Sequence, residues 1–133
     1  MSPVGDREAR QPNKPQASFS PSGDHEARPF MKLQVYVVAK ELAVLVQNAQ
    51  IRDAELRDQA TRAAKSAFLN TAEGLPGDSV PMRRKFFSTA EGSAAEVGAA
   101  LDLAAAFGAV DADVARQGID LAVQLKRLLR GLR

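Results

Sequence analysis

The 133 residues are 45% hydrophobic, 26% charged and 5% aromatic, with a formal net charge of +2, which suits one ordinary domain or a smaller domain with a tail. No Cys and a single His, His25, exclude a disulfide framework, thiolate or paired-His metal sites, a cysteine nucleophile and a Ser-His triad. Ala supplies 24 residues against six Phe and one Tyr, so the core is built from small side chains at close range, which helices packed on helices tolerate and a sheet sandwich does not.

Residues 1–30 carry five of the seven Pro, and four basic residues balance four acidic ones. Such a segment buries too little apolar surface to offset its ordering entropy and reads as disordered. It holds an echo: Ser2-Pro3-Val4-Gly5-Asp6-Arg7-Glu8-Ala9-Arg10 recurs as Ser20-Pro21-Ser22-Gly23-Asp24-His25-Glu26-Ala27-Arg28, with seven of nine positions matching. A duplicated linear motif would gain from two linked copies. The plainer reading is a tail with no selected role, or a start set too early, since Met31 opens the periodic sequence. No apolar stretch of a secretory signal stands in residues 1–20.

From residue 31 the period is helical. Helix one, about 32–50, carries Val35, Val38, Leu42, Leu45 and Ala49 on one side and Lys40, Glu41, Gln47 and Asn48 on the other. Asp53 and Glu55 suit a helix N-terminus, and helix two follows with Leu56, Ala60, Ala63, Ala64, Ala67 and Phe68 until Gly74 and Pro76 stop it. Asp78 or Ser79 caps helix three, about 80–107, with Pro81 in its first turn. Its stripe is Phe86, Ala90, Ser93, Val97, Leu101 and Ala104, and Gly108 closes it. Asp111 and Asp113 open helix four, where Val114, Gly118, Leu121, Leu125, Leu128 and Leu132 recur. Short connections make neighbours antiparallel, so the fold expected is an all-α, up-down-up-down four-helix bundle over residues 31–133. The apolar run at 97–110 is too short to span a bilayer.

Two groups of polar residues stand out. Asn70 and Glu73 end helix two, and Glu91, Gly92, Ser93 and Glu96 lie on helix three. Without His, these carboxylates suit helix caps, hydrogen bonds across the bundle or pairing with Arg at a subunit contact better than a metal or acid/base site. Gly92 and Gly98 inside a helix cost roughly 1 kcal/mol each relative to Ala and would let another helix approach closely, within the bundle or between subunits. The second group is basic: Arg57, Arg62 and Lys65 on helix two; Arg83, Arg84 and Lys85 opening helix three; Lys126, Arg127, Arg130 and Arg133 closing helix four. Arg and Lys in a last turn complement the helix dipole, but basic residues in a first turn oppose it and suit a phosphate-binding surface. The alternative is a solvated charged face.

The residues also carry a resemblance. Leu56-x-x-Gln59-x-x-Arg62-Ala63-Ala64-x-Ser66-x-x-x-Asn70-x-Ala72-Glu73-Gly74, followed by Lys85-Phe86-Phe87-x-x-Ala90-Glu91-Gly92-Ser93-x-x-Glu96, resembles the signature of the small four-helix-bundle proteins encoded in intervening sequences of bacterial 23S rRNA genes. That family includes the accessory variability determinant (Avd) protein of diversity-generating retroelements. The similarity covers about residues 33–132. It implies a homo-oligomer, typically a pentameric barrel, with a basic surface. For the retroelement members it implies binding to RNA or DNA and to a reverse transcriptase. The net charge of +2 is modest beside markedly cationic members, and Thr71 stands where the family commonly has an aromatic residue or Ile.

The expectation is therefore a non-enzymatic, cytoplasmic, homo-oligomeric bundle without cofactor, metal or membrane. It binds nucleic acid through phosphate neutralisation, as an adaptor for an RNA-dependent enzyme such as a reverse transcriptase. The rival is a structural oligomer that contacts only protein. A helical-bundle RNase with an Arg-x₄₋₆-His motif fails, because His25 lies in the tail.

Overall fold

The computed structural model describes residues 21–76 and 79–133. The expectations for residues 1–20, including the first copy of the repeat, lie outside the described residues. Four helices follow in order: α1 (Pro21–Asn48), α2 (Ala54–Gly74), α3 (Val80–Ala106) and α4 (Ala112–Leu132). Contacts divide the chain after Leu33, and the bundle is the unit Gln34–Arg133. No strand is found among the described residues, and none of their helices is long and apolar enough to cross a membrane.

Three of the starts are fixed by the side chains that the sequence offers. Asp53 caps α2 by accepting from the Leu56 N–H at 2.9 Å. Ser79 caps α3 through the Met82 N–H at 3.2 Å, and Asp111 caps α4 through the N–H groups of Asp113 and Val114. Each cap satisfies donors that the first helical turn leaves unpaired. The start of α1 differs from expectation. It opens at Pro21 rather than near residue 32, with Pro29 inside it. Pro21 stands in the first turn, where its missing N–H would be unpaired anyway, whereas Pro29 lies well inside the helix and removes one of its hydrogen bonds.

The helices run antiparallel. Tyr36 of α1 meets Phe68 of α2 with ring centroids 5.2 Å apart, and Ser66 of α2 shares a 2.8 Å hydrogen bond with Ser93 of α3. Arg83, in the first turn of α3, donates to the carbonyl of Leu132 at the end of α4. Gly118 of α4 lies against Leu101 of α3 and Leu45 of α1. The order around the bundle is thus α1, α2, α3, α4, and the α1–α2 side lies opposite the α3–α4 side. At one end the α1–α2 turn is tied to the α3–α4 turn: Arg52 donates its backbone N–H to Ala109 and its guanidinium to Gly108.

The core is small-residue throughout, as its composition requires. Ala60, Ala63, Ala64, Ala67, Ala90, Ala94, Ala100 and Ala104 are buried, with Leu42, Leu101, Leu125, Leu129 and Leu132 between them. Two stripes differ from the sequence reading. The aromatic anchor of α3 is Phe87, fully buried, while Phe86 is only half-buried. In α4 the buried line is Ala115, Gly118, Ala122, Leu125, Leu129 and Leu132. Val114, Leu121 and Leu128 sit at its edge, because an α-helix buries a band about 100° wide and not one heptad line.

Candidate nucleic-acid interface

The basic residues do not form one surface. Arg83, Arg84 and Lys85 open α3, and Lys126, Arg127, Arg130 and Arg133 close α4. Antiparallel packing carries these two groups to the same end of the bundle. The join is direct: the Nε of Arg83 lies 3.1 Å from the Leu132 carbonyl, which satisfies one of the acceptors that the last turn of α4 leaves open. Arg84, Lys85 and Arg127 are exposed.

A carboxylate organises part of this end. Glu91 is 8% exposed. Its Oε1 accepts long hydrogen bonds from Arg130, at 3.4 Å from Nε and 3.3 Å from Nη2. Its Oε2 forms an ion pair with the Nε of Arg133 at 3.0 Å; this contact is not aligned as a hydrogen bond. Positions 126, 130 and 133 step by four and three, so they share the α3-facing side of α4. The sequence offers Glu91 as a motif residue suited to pairing with Arg at a subunit contact; the pairing found is within the chain. That step, set against an antiparallel α3, was the signal for its pairing with Arg130 and Arg133.

The α2 residues lie elsewhere. Arg57 is at the other end, its Nη1 donating to the Ile51 carbonyl at 3.1 Å. Arg62 and Lys65 border clefts shared with α1, next to Gln47 and Thr61. They therefore flank the α1–α2 side, opposite the side where Glu91 holds Arg130 and Arg133.

The motif residues are spread across the α2–α3 seam. Asn70 donates to the carbonyl of Ser66 at 2.9 Å and to its hydroxyl at 3.2 Å, and Ser66 in turn meets Ser93. Gln59 and Glu96 border a shallow cleft over Leu56, Ala99, Ala100 and Leu103. Glu73 is exposed and has no partner among the described residues. Gly74 does not stop α2 by a left-handed turn; among the described residues the glycine with positive φ is Gly108. Gly74 instead packs beneath Phe87, where a Cβ would stand 2.6 Å from the ring. Gly92 is exposed with nothing within 4 Å of where a Cβ would lie, whereas Gly98 faces Ala122 at 3.9 Å.

These motif positions lie within a single match. The profile of the 23S rRNA-intervening sequence protein family covers residues 31–131. The chain belongs to that family. As a 23S rRNA-intervening sequence protein it is a small helical bundle whose matched region takes in the whole α2–α3 seam and α4 through Gly131, with Leu132 and Arg133 beyond its end. No curated protein matches the chain.

Proposed function

We propose that this intervening-sequence protein is a non-enzymatic adaptor that works as a homo-oligomer and binds RNA or DNA through the end of the bundle where α3 begins and α4 finishes. The observation that carries this reading is the convergence of Arg83, Arg84, Lys85, Lys126, Arg127, Arg130 and Arg133 on one end. Among the described residues of the bundle, the acids at that end are Glu73 and the buried Glu91. A basic first turn works against the helix dipole and gains when an anion sits over it. Recognition would be phosphate neutralisation without base readout, because no Trp and few aromatic residues are present for stacking. An RNA-dependent enzyme such as a reverse transcriptase is the partner that such an adaptor would serve.

The test is anisotropy of a labelled structured RNA, titrated with the full chain at several salt concentrations. Wild-type affinity should fall steeply with salt. The triple charge reversal Arg84→Glu, Lys85→Glu, Arg127→Glu should weaken binding on every sequence and flatten the salt slope by roughly two to three, at about 0.9 per lost phosphate contact. Absence of wild-type binding at low salt overturns the proposal.

A second reading, an oligomer that contacts only protein, has its own support. An open groove of about 750 Å³ between α1 and α4 exposes Val44 beside Leu45 and Leu121, and a helix face covering it would be a protein contact. Sedimentation equilibrium separates the two: assembly that persists with no affinity for RNA favours the second.

A further inference from the structure

We propose that Glu91 is a positioning residue that sets Arg130 and Arg133 side by side as a site for one phosphate-type oxyanion; the choice of ligand rests on the reading of the basic end given above.

Burying a carboxylate is costly unless it is paired, and a single arginine held by both oxygens would pair it. Glu91 instead divides its oxygens between two guanidinium groups, Arg130 on Oε1 and Arg133 on Oε2. One positive charge is therefore left over at the pair. The carboxylate is turned inward, its side chain 10% exposed, while the side chains of Arg130 and Arg133 remain 63% and 37% exposed. Each guanidinium carries five N–H donors in a fixed fork. Arg130 spends its Nε and one Nη edge on Glu91, and Arg133 faces Glu91 through Nε, so further donors on both groups are available to a ligand. Two planar forks tethered to one carboxylate are pre-organised, which removes much of the ordering cost that free surface arginines incur on binding. Arg83, anchored on the Leu132 carbonyl next to Arg133, adds a third guanidinium to the same end. The donor set matches a tetrahedral oxyanion, either inorganic phosphate or a phosphodiester of a nucleic acid.

Charge and positioning predict opposite signs for one substitution, and that decides the matter. Glu91→Gln removes a negative charge from a basic surface, so if charge alone governed binding, anions would bind more tightly. If Glu91 positions the pair, binding weakens despite the gained charge. The full chain is titrated with inorganic phosphate, followed by ³¹P line broadening, and separately with a labelled RNA, for wild type, Glu91→Gln, Arg133→Lys and Arg116→Gln, the last an exposed arginine paired with Asp113 near the start of α4, at the other end of the bundle. Glu91→Gln and Arg133→Lys should each weaken phosphate binding about tenfold, the loss of one charge-assisted hydrogen bond, while Arg116→Gln stays within about twofold. Arg133→Lys keeps a positive charge beside Glu91, loses the fork and leaves the buried carboxylate in place, so it answers the question even if Glu91→Gln unfolds in a thermal melt. Phosphate binding by Glu91→Gln as tight as wild type or tighter, or an equal loss in Arg116→Gln, overturns the inference.

The RNA arm separates the sources. Parallel losses for RNA and phosphate identify a phosphodiester. Phosphate binding that responds to these variants in a chain with no affinity for RNA upholds the site and overturns the nucleic-acid reading. RNA binding that ignores both variants overturns the site and leaves that reading standing.

Discussion

Among the described residues, Gln50 is the residue with positive φ that is not glycine, at 56°. It follows the end of α1, where a left-handed residue commonly terminates a helix and glycine commonly fills the position. A side chain there costs about 1–2 kcal/mol, offset in part by the greater freedom that glycine has in the unfolded chain. Gln50→Gly should therefore stabilise the fold by about 0.5–1 kcal/mol, read as a higher urea midpoint at unchanged m-value. An unchanged or lower midpoint would show that the Gln50 side chain contributes more than its backbone costs. Nothing in the sequence pointed to this position, since Gln-Ile-Arg-Asp contains neither Gly nor Pro to mark the turn. Asp53 and Asp111, by contrast, were legible as caps because their carboxylates have only one common use just ahead of an apolar period.

At the scale of the helix, three glycines sit in similar sequence surroundings and meet different neighbours. Gly74 supports the ring of Phe87, which is fully buried and cannot turn away. Gly74→Ala should cost about 2–3 kcal/mol by overpacking. At Gly118 the obstructing atoms are the ends of Leu101 and Leu45, which can change rotamer, so Gly118→Ala should cost about 1 kcal/mol less. Gly92 meets nothing, and Gly92→Ala should gain about 1 kcal/mol from helix propensity alone. Thermal or urea unfolding of the three variants at one protein concentration ranks them; a destabilising Gly92→Ala would mean that a neighbouring chain uses this face. Periodicity shows that a helix holds a glycine but not what lies across from it, because that depends on the rotation of two helices about their axes. The same limit explains Phe86 and Phe87. Either fits a three-four step from Ala90, and only contact with Gly74 places Phe87 inside. Helix existence, order and three of the four starts were legible, since each has a local cause in capping or apolar spacing. The early start of α1 was not, because residues 21–30 carry too little apolar spacing to mark a helix.

For the whole molecule, the decisive quantity is the distribution of charge and not its sum. A net charge of +2 predicts weak steering of any polyanion, yet the bundle sets two groups of its basic residues apart. One gathers at the start of α3 and the end of α4, and the other, Arg62 and Lys65, flanks the α1–α2 side. The sequence could name every one of these residues but could not divide them, since the division follows from which helices are neighbours. The two groups therefore make different predictions for binding at the basic end. The double reversal Arg62→Glu, Lys65→Glu changes the net charge by the same four units as Arg84→Glu, Lys85→Glu. If only total charge mattered, the two would lower RNA affinity alike at every salt concentration. If phosphates dock at the basic end, Arg84→Glu, Lys85→Glu should reduce the slope of log affinity against log salt by roughly 1–2, one phosphate contact or two. The α2 pair should shift affinity at low salt by long-range repulsion, leave the slope close to wild type, and lose its effect near 1 M salt, where the Debye length falls to about 3 Å. Equal slopes for the two double variants would place the phosphates on neither group in particular and would remove the basic end as the docking surface.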